Sequence, residues 1–132
     1  MTEVKTRHIF IIDDDPIVNL VNAKIISRLY PFLVRDYTDA RLAIDQLKQW
    51  IETPDQLPNL IFLDINMPTM DGWEFLDEFQ KLPEDILERI DVVMLTSSID
   101  LDDIEKAKTY KSVRNFISKP LTIDKLRSLV TI

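Results

Sequence analysis

The sequence predicts an α/β domain in which five parallel strands form one sheet with helices wound over both faces. Two observations carry this expectation. Five short apolar runs of strand length recur along the 132 residues. Between them the hydrophobic period changes to the three-and-four spacing of amphipathic helices. Strands alternating with helices imply βαβ units, and right-handed crossovers place helices on both sides of the sheet.

The elements follow in order. His8–Ile12 (HIFII), Leu60–Leu63 (LIFL) and residues 92–95 (VVML) are apolar almost throughout, as strands buried on both faces are. Leu33–Tyr37 (LVRDY) and residues 113–117 (VRNFI) complete the five. After the first strand, Asp15 before Pro16 is an N-cap followed by proline at the first helical position. Ile17, Val21, Ile25 and Leu29 then step by four, with Leu20 beside them, and predict an apolar stripe facing the sheet. Thr38–Asp39 caps a second helix marked by Ala40, Ala43, Ile44, Leu47 and Ile51. Residues 52–58 (ETPDQLP) read as a surface connector, and 82–88 as an irregular stretch. Leu76 and Phe79 after Gly72–Trp73 mark the third helix, and Leu101, Ile104 and Ala107 the fourth. Thr122 caps the fifth, which carries Ile123, Leu126, Leu129 and Val130.

Composition narrows the function. An apolar share of 45% with 30% charged residues suits one domain around one core. With no cysteine there is no disulfide, no cysteine-ligated zinc and no thiol nucleophile; His8, the single histidine, leaves no two-histidine metal site. Sixteen basic against twenty-three acidic residues give a net charge of −7, which argues against a nucleic-acid partner. No apolar run approaches the roughly 20 residues of a membrane helix, and the N-terminus lacks a signal-peptide core. A cytoplasmic protein with no membrane partner is expected. Gly72 is the only glycine, so no Gly-rich phosphate loop exists.

In an open parallel sheet, ligands bind outside the carboxyl ends of the strands. Asp13–Asp14–Asp15 follows the first strand, Asp64 the third, Thr96–Ser97–Ser98 the fourth and Ser118–Lys119–Pro120 the fifth. Carboxylates crowded on one edge repel, and a divalent cation holds them together ionised. An all-oxygen donor set selects a hard ion, Mg²⁺ or Mn²⁺. A lysine and a hydroxyl beside it are donors for phosphoryl oxygens. An aspartate can itself be the nucleophile, so the chemistry points to phosphoryl transfer onto a carboxylate. Each residue alone has a plainer role: Asp15 as a helix cap, Asp64 in a turn, Thr96 in a hydroxyl turn, Lys119 on the surface. Four such residues at four strand ends argue for a shared site.

With these residues in view, the chain resembles a response-regulator receiver domain, with the CheY-like, flavodoxin-like fold, over essentially residues 1–132. The strings are HIFIIDDDP, LIFLDINMPTMDGWEFL, VVMLTSS and DIEKAKTYKSVRNFISKPLTIDKL. The resemblance implies strand order 2-1-3-4-5 and a phosphoacceptor in a two-component system or phosphorelay. It also implies a domain that is not a turnover enzyme and catalyses only its own phosphorylation and dephosphorylation. By the same resemblance Asp64 is the phosphoacceptor, and Asp13, Asp14 and Asp64 with the backbone carbonyl of Asn66 hold Mg²⁺. Thr96 matches the switch hydroxyl, Lys119 the phosphoryl-contacting lysine, and Phe116 the switch aromatic. The Lys119–Pro120 peptide matches the family's cis bond. Implied partners are a sensor histidine kinase or phosphotransfer protein, and a downstream protein on the face of the fourth helix, fifth strand and fifth helix, about residues 99–129. No output domain is expected after Ile132, and signalling is therefore expected through the domain's own surface. One departure stands out: the turn before the fifth strand, where the family usually carries glycine, reads Thr109–Tyr110–Lys111–Ser112.

Two rival readings remain. A haloacid-dehalogenase-type phosphatase would use Asp13 as nucleophile and Asp15 as general acid, but leaves Asp64 and MPTMDG without a role. A receiver fold used as a phosphorylation-independent docking module would need none of the site residues that are present.

Overall fold

In a computed structural model the structure describes residues 8–29, 31–97 and 100–129. The expectations placed on Ser98, Ile99 and Val130 fall outside them. Five strands, β1 (His8–Ile12), β2 (Leu33–Tyr37), β3 (Leu60–Leu63), β4 (Asp91–Thr96) and β5 (Val113–Ser118), form one parallel sheet. Its order is β2-β1-β3-β4-β5, as the resemblance implied. Among the described residues six α-helices accompany them, five between strands and the last after β5: α1 (Pro16–Leu29), α2 (Ala40–Gln49), α3 (Gly72–Phe79), α4 (Glu84–Leu87), α5 (Leu101–Ala107) and α6 (Ile123–Leu129).

Strand side chains alternate between the two faces. Phe10, Ile12, Ile61, Leu63, Val92 and Met94 pack with Ala43, Ile44 and Leu47 of α2 and Phe75, Leu76 and Phe79 of α3. Ile9, Ile11, Phe62, Val93 and Leu95 pack on the other face with Ile26 of α1 and Leu126 of α6. Ile12 aligns with Leu63, Leu63 with Met94, and Thr96 with Ser118. This register brings the carboxyl ends of the strands to one edge.

Three local expectations are corrected. The stretch after α3 contains a one-turn helix, α4, entered through Pro83 and anchored by the buried Ile86; the fourth and fifth helices expected from periodicity are therefore α5 and α6. Residues 52–58 are not wholly a surface connector, because Leu57 is in the core and Pro58 is buried. The apolar stripe of α1 is rotated. Ile17, Leu20 and Val21 are 70%, 56% and 49% exposed, while Asn19, Asn22 and Ile26 are buried. A step of four residues gains about 40° per step on a helix of 3.6 residues per turn, so a stripe built on it winds off the buried face.

The turn that lacks the family's glycine is filled instead. Tyr110 is buried, stacks on Trp73 with ring centroids 6.0 Å apart, and donates its hydroxyl to Asp77 Oδ1 at 2.8 Å. Lys106 Nζ lies 4.7 Å from the Trp73 ring centroid. These contacts fasten the end of α5 to α3.

Candidate functional site

The acidic edge is built by main-chain pairing. Asp64 N–H donates to the Ile12 carbonyl at 2.9 Å and Asp13 N–H to the Tyr37 carbonyl at 3.1 Å. Asp13 and Asp64 therefore leave adjacent strands side by side. Carboxylate oxygens of Asp13, Asp14 and Asp64 all lie within 4.8 Å of one another; Asp13 and Asp64 are buried and Asp14 is exposed. Asp13 Oδ1 accepts from Asp15 N–H at 3.0 Å, which orients it.

Lys119 closes the group from β5. Its main-chain N–H donates to the Thr96 carbonyl at 2.7 Å, and the Lys119–Pro120 peptide is cis. Its Nζ lies 2.6 Å from Asp13 Oδ2 and 3.6 Å from Asp64 Oδ1. Lys125 holds the far side of this turn, donating to the Ser118 carbonyl at 2.8 Å and the Pro120 carbonyl at 3.1 Å.

The electrostatics follow. Burial is the largest influence on Asp64, and with the nearby charge of Asp13 it pushes the carboxyl up to about 6 despite Lys119. Burial pulls the Lys119 ammonium down, but its hydrogen bond to Asp13 and the charges of Asp64 and Asp13 outweigh it and leave its pKa raised. One cation faces three carboxylates at this edge, an arrangement that further positive charge would relieve.

The remaining sequence-predicted residues occupy the same end of the sheet. Asn66 lies two residues past Asp64 in the loop to α3, with its side chain exposed. Thr96 ends β4 and is buried. Phe116 is half-buried on β5, opposite Met94, at a groove shared with Ile104, Ala107 and Lys108. The structure does not bring Asp15 into the acidic group: its Oδ1 accepts from Ile17 N–H at 2.9 Å and caps α1. The general acid of the phosphatase reading is thus occupied elsewhere.

Two residues escaped the sequence reading. Gly72 opens α3 against the main chain of Asp64, and the DG pair of the motif was the available signal. Asn19 of α1 is fully buried, and its Nδ2 donates to the Asp13 carbonyl at 2.9 Å. A search for apolar periodicity passes over a polar residue on the buried face.

The response regulator receiver domain pattern matches residues 9–131. The chain belongs to the response regulator receiver domain family. A two-component response regulator from Cytophaga hutchinsonii is 34% identical, with a TM-score of 0.85 over 96% of this chain and 95% of that one. A response regulator receiver protein from Dyadobacter fermentans is 31% identical, with a TM-score of 0.81 over 94% of each chain. Among curated relatives, a probable C4-dicarboxylate response regulator from Halalkalibacterium halodurans is 28% identical over 93% of this chain and 49% of its own length. The sporulation initiation phosphotransferase F of Bacillus subtilis is 34% identical over 55% of each. This receiver domain spans about half the length of the curated relatives it matches. No described helix is long and apolar enough to cross a membrane. Receiver domains typically bind Mg²⁺, and the all-oxygen group of Asp13, Asp14 and Asp64 is the donor set such an ion takes.

Proposed function

We propose that this receiver domain takes a phosphoryl group from a histidine kinase or phosphotransfer protein onto Asp64. The convergence of Asp13, Asp14 and Asp64 with Lys119 on one sheet edge carries this reading. An Asp64 carboxylate oxygen attacks phosphorus; the new P–O bond forms as the P–N bond to the donor imidazole breaks, and the imidazole leaves with the bonding electron pair. Asp13, Asp14, Asp64 and the Asn66 carbonyl would hold Mg²⁺, which supplies positive charge for the phosphoryl oxygens.

The chain's own residues do the rest. Lys119, within reach of both Asp13 and Asp64, turns its ammonium to the phosphoryl oxygens. Thr96 donates its hydroxyl to the same group. Catalysis is mainly positioning and neutralisation of charge. Phosphorylation replaces the single charge of the Asp64 carboxylate by about two negative charges on the phosphoryl group. Movement of Thr96 toward them opens space that Phe116 fills, and the surface of α5, β5 and α6 is remodelled for a downstream protein partner. That partner acts through its tighter binding to the phosphorylated form.

Incubation with acetyl phosphate and Mg²⁺, followed by intact-mass measurement, tests the reading. One added phosphoryl group is expected on the wild type and none on Asp64→Asn. Equal labelling of both proteins contradicts it.

A further inference from the structure

We propose that Asn19 is a positioning residue for the Mg²⁺ site, acting through the peptide that joins Asp13 to Asp14. This rests on the metal role proposed above. Asn19 lies on α1, fully buried, where the sheet-facing surface of a helix ordinarily carries an apolar side chain. Its Nδ2 donates to the Asp13 carbonyl at 2.9 Å and approaches the Tyr37 carbonyl at 3.4 Å. Its Oδ1 is buried and has no hydrogen-bond partner among the described residues. A buried amide with an unmatched acceptor is costly, and a leucine would avoid that cost. What the amide provides in return is its hold on the loop.

That hold matters most for Asp14. Asp13 N–H is fixed by the Tyr37 carbonyl, and its carboxylate is fixed by Asp15 N–H and Lys119. The Asp14 side chain is exposed and makes no hydrogen bond among the described residues. No side-chain hydrogen bond directs it, so its placement leans on the backbone, and the Asn19 bond holds the carbonyl of the peptide entering it. Groups that orient metal ligands from outside the coordination sphere govern affinity strongly. Asn22, one turn further along α1, is also buried but bonds to no atom of this loop among the described residues, so it is the matched control.

The test is Mg²⁺ titration of the full chain, followed by amide chemical shifts, beside thermal melting in EDTA. Asn19→Leu is expected to melt at or above the wild-type temperature yet bind Mg²⁺ about tenfold more weakly. Asn22→Leu is expected to keep wild-type Mg²⁺ affinity. Should Asn19→Leu fail to fold, Asn19→Ser, which shortens the donor, carries the same comparison. Wild-type affinity in a folded Asn19 variant, or equal weakening in the Asn19 and Asn22 variants, overturns the proposal. Loss of Mg²⁺ binding in Asp13→Asn/Asp14→Asn together with unchanged affinity in Asn19→Leu defeats this inference alone. Absence of Mg²⁺ binding in the wild type defeats the metal site and this inference together.

Discussion

Gly72 lies so close to Asp64 that a Cβ on it would sit 2.7 Å from the Asp64 carbonyl oxygen and 2.9 Å from the Ile65 Cα. Gly72 N–H also donates to the Ile65 carbonyl at 2.8 Å. Its φ is not in the left-handed region, so close approach, and not conformational freedom, selects glycine here. The neighbouring Asp71 and Glu74 form a reciprocal capping box that fixes where α3 begins. Together they seat the helix directly on the strand end that carries Asp64.

Gly72→Ala therefore has to displace main chain, which yields less readily than a side chain. A loss of about 1–3 kcal/mol is expected in urea unfolding, with slower acetyl phosphate labelling because the Asp64 peptide moves. Wild-type stability and labelling rate would show that the contact is relieved without cost.

The Tyr110–Asp77 bond gives a second expectation. Tyr110→Phe should lose about 1 kcal/mol in urea unfolding. Asp77→Ala should lose a similar amount, and the double variant no more than either one, because both remove one interaction. Strict additivity would mean the hydroxyl and carboxylate act independently.

Asp64 makes stability depend on pH in a defined direction. Unfolded, its carboxyl titrates near 3.9; folded and without metal it is pushed up to about 6 by burial and by Asp13. The folded state binds that proton more tightly. The associated stability is complete below about pH 4 and is lost as pH rises through about 6. In EDTA, the stability of the wild type minus that of Asp64→Asn should fall across this window. A difference that rises or stays level contradicts the assignment.

How far the sequence was legible is clearest on α1. The apolar runs located β1, β3 and β4, which are buried on both faces and carry their signal in composition; the edge strands β2 and β5 showed through short runs of β-branched and aromatic residues. The site residues were legible because topology collects strand ends at one edge, which turns scattered positions into neighbours. The orientation of α1 was not legible, because Asn19 and Asn22 go inward while Ile17, Leu20 and Val21 face solvent. The choice rests on tertiary contacts, the bond from Asn19 to the Asp13 carbonyl and the packing of Ile26 into the core. The one-turn helix α4 was missed because four residues are too few to display a period.

That rotation can be measured. Ile17→Ser should change stability by no more than about 0.5 kcal/mol, whereas Ile26→Ala should cost about 2–5 kcal/mol. Equal losses in chemical denaturation would restore the stripe read from the step of four.

The most direct measurement of the central claim is site-localising mass spectrometry after phosphoramidate treatment, in Mg²⁺ and in EDTA. The expected result is a phosphoryl group on Asp64 in Mg²⁺, with labelling strongly reduced in EDTA. A phosphoryl group on Asp13, or equal labelling of Asp64 with and without the metal, would contradict it.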